Sequence, residues 1–370
     1  MNINIILRGQ SNAFYLDALG GTDKIERQVE WLLGFDGLTE NVNIIAAYND
    51  PTGANTIVGG TSFVRDWMVR NPDGSWAPGP LERGLLAEIQ SLPAPDRANP
   101  TAVVWLHNET DATIPGLTAS DWSAAVRADA ALVRGTLGQP AAPYLFVSAI
   151  PYQFADPASN QQIKIGMEQL AADPTFKGLV AARINDVNMD FDKTGFGGAH
   201  FNTADVDVLA DRLTRSIAET FAQYAEPGSL IATVGGDVAN LGPQVVAAQA
   251  MRPAPGAGPF PTTLLLTVQN DQSVLSPTLD PDAAAGVGWA IQTPNGAFTP
   301  ATSAVLVDAD QFMVNFANGV PAGGVLHYGY GNGRLTGADG SGLGNAVYDI
   351  QALPVWTAAG GVAIDYVIIA

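Results

Sequence analysis

The sequence contains no cysteine. That excludes disulfide cross-links, thiolate nucleophiles and cysteine-based zinc or iron–sulfur centres. Histidine is scarce as well, with three in 370 residues. They are scattered singly and give no zinc-binding spacing, so neither metal nor cofactor is expected. Positive charge is short: Lys and Arg number 17 against 36 Asp and Glu, a formal net charge of −19. Nucleic acid and anionic lipid both demand a basic footprint, so neither is an expected partner. No apolar run reaches the roughly 18 residues that a spanning helix needs. The first residues lack the charged stretch and long apolar core of a secretory signal, which makes cytoplasmic synthesis the expectation.

Apolar residues make up 47% of the chain, enough to bury a sizeable core, and the length suits two domains. Over residues 1–224 strand-like and helix-like segments alternate. "NINIILRG", "NVNIIAAYN", "TAVVWLHNE", "PYLFVSAIP" and "GLVAARINDVN" read as strands. Between them, "GPLERGLLAEIQSL", "SDWSAAVRADAALVRGTLG" and "NQQIKIGMEQLAADP" read as helices, and "TADVDVLADRLTRSIAETFAQYA" as a long amphipathic one. Ser120 or Asp121 is the expected cap of the second helix. Short apolar strands alternating with helices imply a parallel sheet covered on both faces, an α/β fold. The texture changes at "AEPGS", residues 225–229, read as a linker. Residues 230–370 are rich in Gly, Pro, Thr and Val and predict an all-β, sandwich-like domain.

Chemistry concentrates at "RGQSNAF", residues 8–14, directly after the first strand. In open parallel sheets ligands sit beyond the carboxyl ends of the strands, so Ser11 is placed either as a nucleophile or as a plain turn residue. The block "RGQSNA" resembles the nucleophile block of SGNH-type hydrolases, and "GQSN" points to their sialate O-acetylesterase and acetylxylan-esterase branch. Further matches follow in order: "APGPLERGLLAEI", "VVWLHNETDA", "GGAHFN" and the tail "YGYGNGRL…GNAVYDIQALPV".

This resemblance implies a flavodoxin-like three-layer parallel sheet and serine-dependent removal of O-acetyl groups from a glycan, without a cofactor. It assigns Ser11 as nucleophile, His200 as base and the Gly79 N–H as an oxyanion donor. Gln10, Asn12, His107, Asn108, Glu109 and Asp111 would line the oxyanion and substrate site. Two blocks depart from the pattern. Gly197 stands where the family has the triad aspartate, with Asp192, Asp190 or Glu109 as surrogate acids; Asp192 is the one assigned. His107 and Asn108 stand where the family has Gln and Gly.

Each of these residues has a plainer structural reading, as cap, turn or core. Trp76, in the polar loop "NPDGSWAPG", is a candidate sugar platform, whereas Trp31, Trp67, Trp105 and Trp122 read as core and His327 as structural. "GADGSGLGN" is acidic and Gly-rich but lacks the EF-hand pattern for calcium. Three functions stay open at this level. One is an acetylesterase acting on acetylated polysaccharide. Another is an inactive esterase scaffold binding surface glycan, as a homo-oligomeric fibre or spike of a phage-like particle. The last is an assembly module alone.

Overall fold

In a computed structural model, the described residues are 1–49, 57–191, 193, 195, 197–331, 333, 335 and 346–368, except for 253–260. Asp192 and the acidic stretch 336–345 therefore lie outside the described residues. The chain begins with strand β1 (Ile3–Gly9), helices α1 (Ser11–Ala18) and α2 (Gly21–Leu33), and strand β2 (Val42–Ala47). A small hairpin, β3 (Met68–Arg70) and β4 (Trp76–Pro78), leads into α3 (Pro80–Ser91) and the one-turn α4 (Ala94–Arg97). Then come β5 (Thr101–Leu106), α5 (Ala119–Leu137), β6 (Tyr144–Ser148), α6 (Pro157–Ala172), β7 (Gly178–Arg183) and α7 (Thr203–Thr220).

The five long strands form one parallel sheet in the order β2-β1-β5-β6-β7. Numbered among themselves this is 2-1-3-4-5, the flavodoxin-like doubly wound order. Helices α1, α2 and α7 cover one face over Ile3, Ile5 and Leu7, while α3, α5 and α6 cover the other over Ile6, Val103 and Trp105. Burial on both faces explains why β1 and β5 read as continuous apolar runs without alternation. Helix ends follow local chemistry. Pro80 occupies the first turn of α3, and α7 opens with a capping box between Asn202 and Asp205. The α5 cap is Thr118, whose side chain accepts from Asp121 N. Ser120 and Asp121 thus lie inside that helix, because the hydroxyl two to three residues upstream already satisfies the free amide.

Ile231 is buried in the α/β core and Val238 packs against it, so the stretch after "AEPGS" still belongs to the packing of the first layer. Beyond it the strands are β8 (Gln244–Arg252), β9 (Thr263–Gln269), β10 (Trp289–Gln292), β11 (Phe298–Leu306), β12 (Gln311–Phe316), β13 (Val325–Tyr328) and β14 (Val362–Ile368). They form a closed barrel, not the expected sandwich: β10 pairs with β11 on one side and β13 on the other, which leaves no open edge.

The barrel docks through buried polar contacts. Lys164 Nζ donates to Gly329 O and Gly331 O at 2.7 Å each. Tyr348 Oη donates to Asp186 Oδ2 at 2.7 Å, and the Arg183 guanidinium lies 3.5 Å from the Trp356 ring centre. His327 is buried beside Gln292, in keeping with a structural role.

Candidate active site

The sheet order reverses between β1 and β5, where one crossover leaves toward β2 and the chain returns on the other side. In such sheets the loops at the carboxyl ends of the two strands diverge, and ligands bind in the crevice between them. Ser11 follows β1 there as the first residue of α1, and Glu109 lies in the loop after β5.

His200 reaches the same place from the loop between β7 and α7. Its Nε2 is 3.2 Å from Ser11 Oγ. The Tyr15 ring packs against the imidazole at 4.8 Å between centres. The loop is held from both ends. Asp205 accepts from Asn188 N and Met189 N at 2.8 Å each and from Asn202 N at 3.1 Å. Asn12 grips the residues on either side of His200: its Nδ2 donates to Ala199 O, and its Oδ1 accepts from Phe201 N, both at 3.1 Å. The asparagine of "GQSN" thus couples the serine's helix to the histidine's loop.

Burial lowers the His200 pKa from its ordinary 6.5, and the negative charges of Glu109 and Asp190 pull it part of the way back. The shift favours the neutral ring, which carries a nitrogen lone pair able to take a proton. Among the described residues its hydrogen-bond partner is Ser11, while Glu109 and Asp190 act through space. Asp190 itself is ion-paired with Lys193 at 2.8 Å. Gly197 leaves no room for the triad aspartate. A Cβ there would lie 2.1 Å from Lys193 O and 2.6 Å from Asp190 O, both backbone atoms.

Several expected site residues turn out to be buried supports. Gln10, Asn12, Asn108 and Glu109 are all buried, out of reach of a substrate. Glu109 accepts from Asn12 Nδ2 at 2.6 Å, and from Gln10 Nε2 and Asn108 N at 3.0 Å each. A buried carboxylate needs such donors to offset its lost hydration. Asn108 spends its side chain on Val147 O and on the Trp105 indole N–H.

His107 is fully buried against Phe63, Trp67 and Trp105, with Nε2 at 3.1 Å from Thr61 O. Burial and the nearby Arg8 charge lower its pKa to about 3. Asp111 accepts from Ser62 Oγ at 2.6 Å, and burial raises it to about 7. His107 and Asp111 therefore fasten the loop at Thr61–Val64 and do not line the crevice.

Gly79 fails as an oxyanion donor because its N–H is given to Trp67 O at 2.5 Å. Trp76, three residues earlier, packs half-buried on the α3–α5 side with Arg70 above its ring, which removes the sugar-platform reading. The glycine that does stand beside the serine is Gly59, where a Cβ would lie 4.0 Å from Ser11 Cβ. Among the described residues, no backbone acceptor takes the N–H of Ser11 or of Gly59. Sequence reading passed over Gly59. The signal was available: "VGGTS" is a glycine turn beyond β2, the strand paired with β1.

No protein-family model and no curated protein matches the chain. Among solved structures, the chain is similar to a carbohydrate acetylesterase from Xanthomonas citri. The TM-score is 0.59 at 16% identity, over 95% of this chain and 79% of that one. The likeness covers both the α/β layer and the barrel, and at this identity it establishes the fold alone. The N-terminal part of the bacterial S-layer protein SbsC also matches, at 12% identity over 46% of this chain and 45% of that one; its TM-score of 0.18 carries no argument.

Proposed function

We propose that this protein is a serine-dependent carbohydrate O-acetylesterase of the SGNH type. The observation that carries the reading is the 3.2 Å approach of His200 Nε2 to Ser11 Oγ at the switch point of the sheet. The solved carbohydrate acetylesterase of the same fold supports it.

In this reading Ser11 Oγ attacks the acetyl carbonyl while His200 Nε2 takes the hydroxyl proton. The N–H groups of Ser11 and Gly59 hold the tetrahedral oxyanion, helped by the positive end of α1. His200 then returns the proton to the sugar oxygen, which leaves as an alcohol. Water, deprotonated by the same nitrogen, cleaves the acetyl-serine to acetate and restores the site. Glu109 and Asp190 stabilise the imidazolium through space, and Asp192, the acid assigned from sequence, lies outside the described residues.

The test is hydrolysis of p-nitrophenyl acetate and release of acetate from acetylated polysaccharide, by the protein and by Ser11→Ala. Turnover in the wild type that vanishes in the variant is the expected result. Equal turnover by both sinks the assignment. One observation favours a second reading, a glycan-binding scaffold without turnover: His200 has no hydrogen-bonded carboxylate among the described residues. That reading expects no acetate from either protein, and glycan affinity that survives Ser11→Ala.

A further inference from the structure

Two loops meet beside His200: residues 149–156 after β6, and the described residues of 188–202 after β7. They are joined by the hydrogen bond from Gln153 N to Gly198 O, 3.1 Å. Gly198 has φ +76°, and a Cβ on it would lie 2.7 Å from the Gln153 side chain and 2.8 Å from the Phe191 ring. Its lack of a side chain brings these two residues close together two positions from His200.

These loops carry large apolar rings facing water. Phe154 is 47% exposed and Phe191 is 38% exposed. The Phe154 ring meets Tyr152 edge-on at 5.5 Å between centres. Tyr152 in turn packs against the α/β core; burial, and then the negative charge of Glu109 behind Ser11, raise its phenol pKa. Both loops also hold non-glycine residues in the left-handed region: Ala149 (φ 60°), Met189 (φ 52°) and Asp190 (φ 52°). Such strain persists only where surrounding structure enforces it, and it clusters at functional sites.

Charge narrows the ligand. The described residues of these two loops carry one cation, Lys193, against two carboxylates, Asp156 and Asp190. Lys193 is paired with Asp190. A sugar bearing a carboxylate meets repulsion on these loops. An uncharged pyranose instead offers an apolar C–H face, which suits the negative face of an aromatic ring.

We propose that Phe154, with Tyr152 against it and Phe191 on the adjoining loop, is a stacking platform for an uncharged sugar ring of the glycan whose acetyl ester reaches Ser11. The assignment rests on the esterase reading and adds to it the substrate's charge and the residues that hold it.

The experiment has a binding arm and a kinetic arm. In calorimetric titration with xylo-oligosaccharide, Phe154→Ala weakens affinity about tenfold, the scale of one lost aromatic contact, while Phe154→Tyr keeps it. In kinetics, kcat/KM for acetylated xylo-oligosaccharide relative to p-nitrophenyl acetate falls about tenfold in Phe154→Ala. The wild type also hydrolyses this neutral ester at least tenfold better than O-acetylated sialic acid. Unchanged affinity and an unchanged ratio in Phe154→Ala overturn the platform. A wild-type preference for the sialic ester overturns the uncharged sugar. Persistence of p-nitrophenyl acetate turnover in Ser11→Ala overturns the esterase reading instead, and the titration still decides the platform.

Discussion

Asn12 Nδ2 donates to Glu109 Oε1 at 2.6 Å, and both residues are buried beneath the crevice. This bond ties the residue after Ser11 to the loop after β5. The same asparagine holds the backbone on both sides of His200. Asn12 is thus the common fastener of the serine, the histidine and the third loop. Its neighbour in the motif acts alike, since Gln10 bridges Glu109 and Thr110.

Asn12→Ala should therefore damage turnover more than binding. Losing three bonds frees His200 to drift, and a misplacement of about 1 Å costs on the order of 100-fold in rate. We expect kcat to fall by about that factor with KM changed little. Glu109, left with fewer donors, should lower stability by about 1–3 kcal/mol. Steady-state kinetics with thermal melting checks both, and an unaltered kcat would refute the fastener role.

Placing an aspartate at position 197, where SGNH-type hydrolases carry one, should fail. In Gly197→Asp the new Cβ strikes Lys193 O and Asp190 O, which move only with the loop itself. Overpacking of this kind costs about 1–3 kcal/mol, and here it displaces the His200 loop. The variant should melt lower than the wild type and hydrolyse p-nitrophenyl acetate more slowly. A more active variant would mean that the loop re-forms around a conventional triad.

The His200 environment sets the pH profile. Its pKa is lowered from 6.5, so the base is protonated only at lower pH. The rising limb of kcat/KM should then have its midpoint below 6.5. Asp190 raises the imidazole's proton affinity. Asp190→Asn removes that charge while suiting the left-handed backbone at this position, φ 52°. The midpoint should move further down, and one that moves up contradicts the through-space role.

The sheet was legible because buried parallel strands leave an unmistakable apolar record: β1, β5 and β6 are buried along their whole lengths. Barrel closure was not legible, because the pairing of β10 with β13 joins segments whose patterns suit a sandwich equally well. At the site, "GQSN" and "GGAHFN" pointed to two residues that do meet, Ser11 and His200. Other described members of the expected site proved to be supports, for one reason. A motif records which residue types are needed, not whether they face ligand or support. Glu109, His107 and Asp111 lie behind the crevice, and Gly79 has spent its N–H on Trp67.

His107 and Asp111 make opposite contributions to acid stability. His107 titrates near pH 3 in the fold against an ordinary 6.5. As pH falls below 6.5 the unfolded chain gains a proton that the fold refuses, so stability is lost toward pH 3. Asp111 keeps its proton up to about 7 against an ordinary 3.8. As pH rises above 3.8 the unfolded chain sheds a proton that the fold retains, so stability is lost toward pH 7. Between about pH 4 and 6.5 the two slopes, each about 1.4 kcal/mol per pH unit, oppose one another. Asp111→Asn removes one of them and keeps the shape. Relative to the wild type, its unfolding free energy should climb with pH by about 1.4 kcal/mol per unit across that window. Urea unfolding of both proteins at about pH 4.5, 5.5 and 6.5 measures the difference. A constant offset at all three would show that Asp111 is ionised in the fold, its charge sustained by the Ser62 hydroxyl and the Val64 amide.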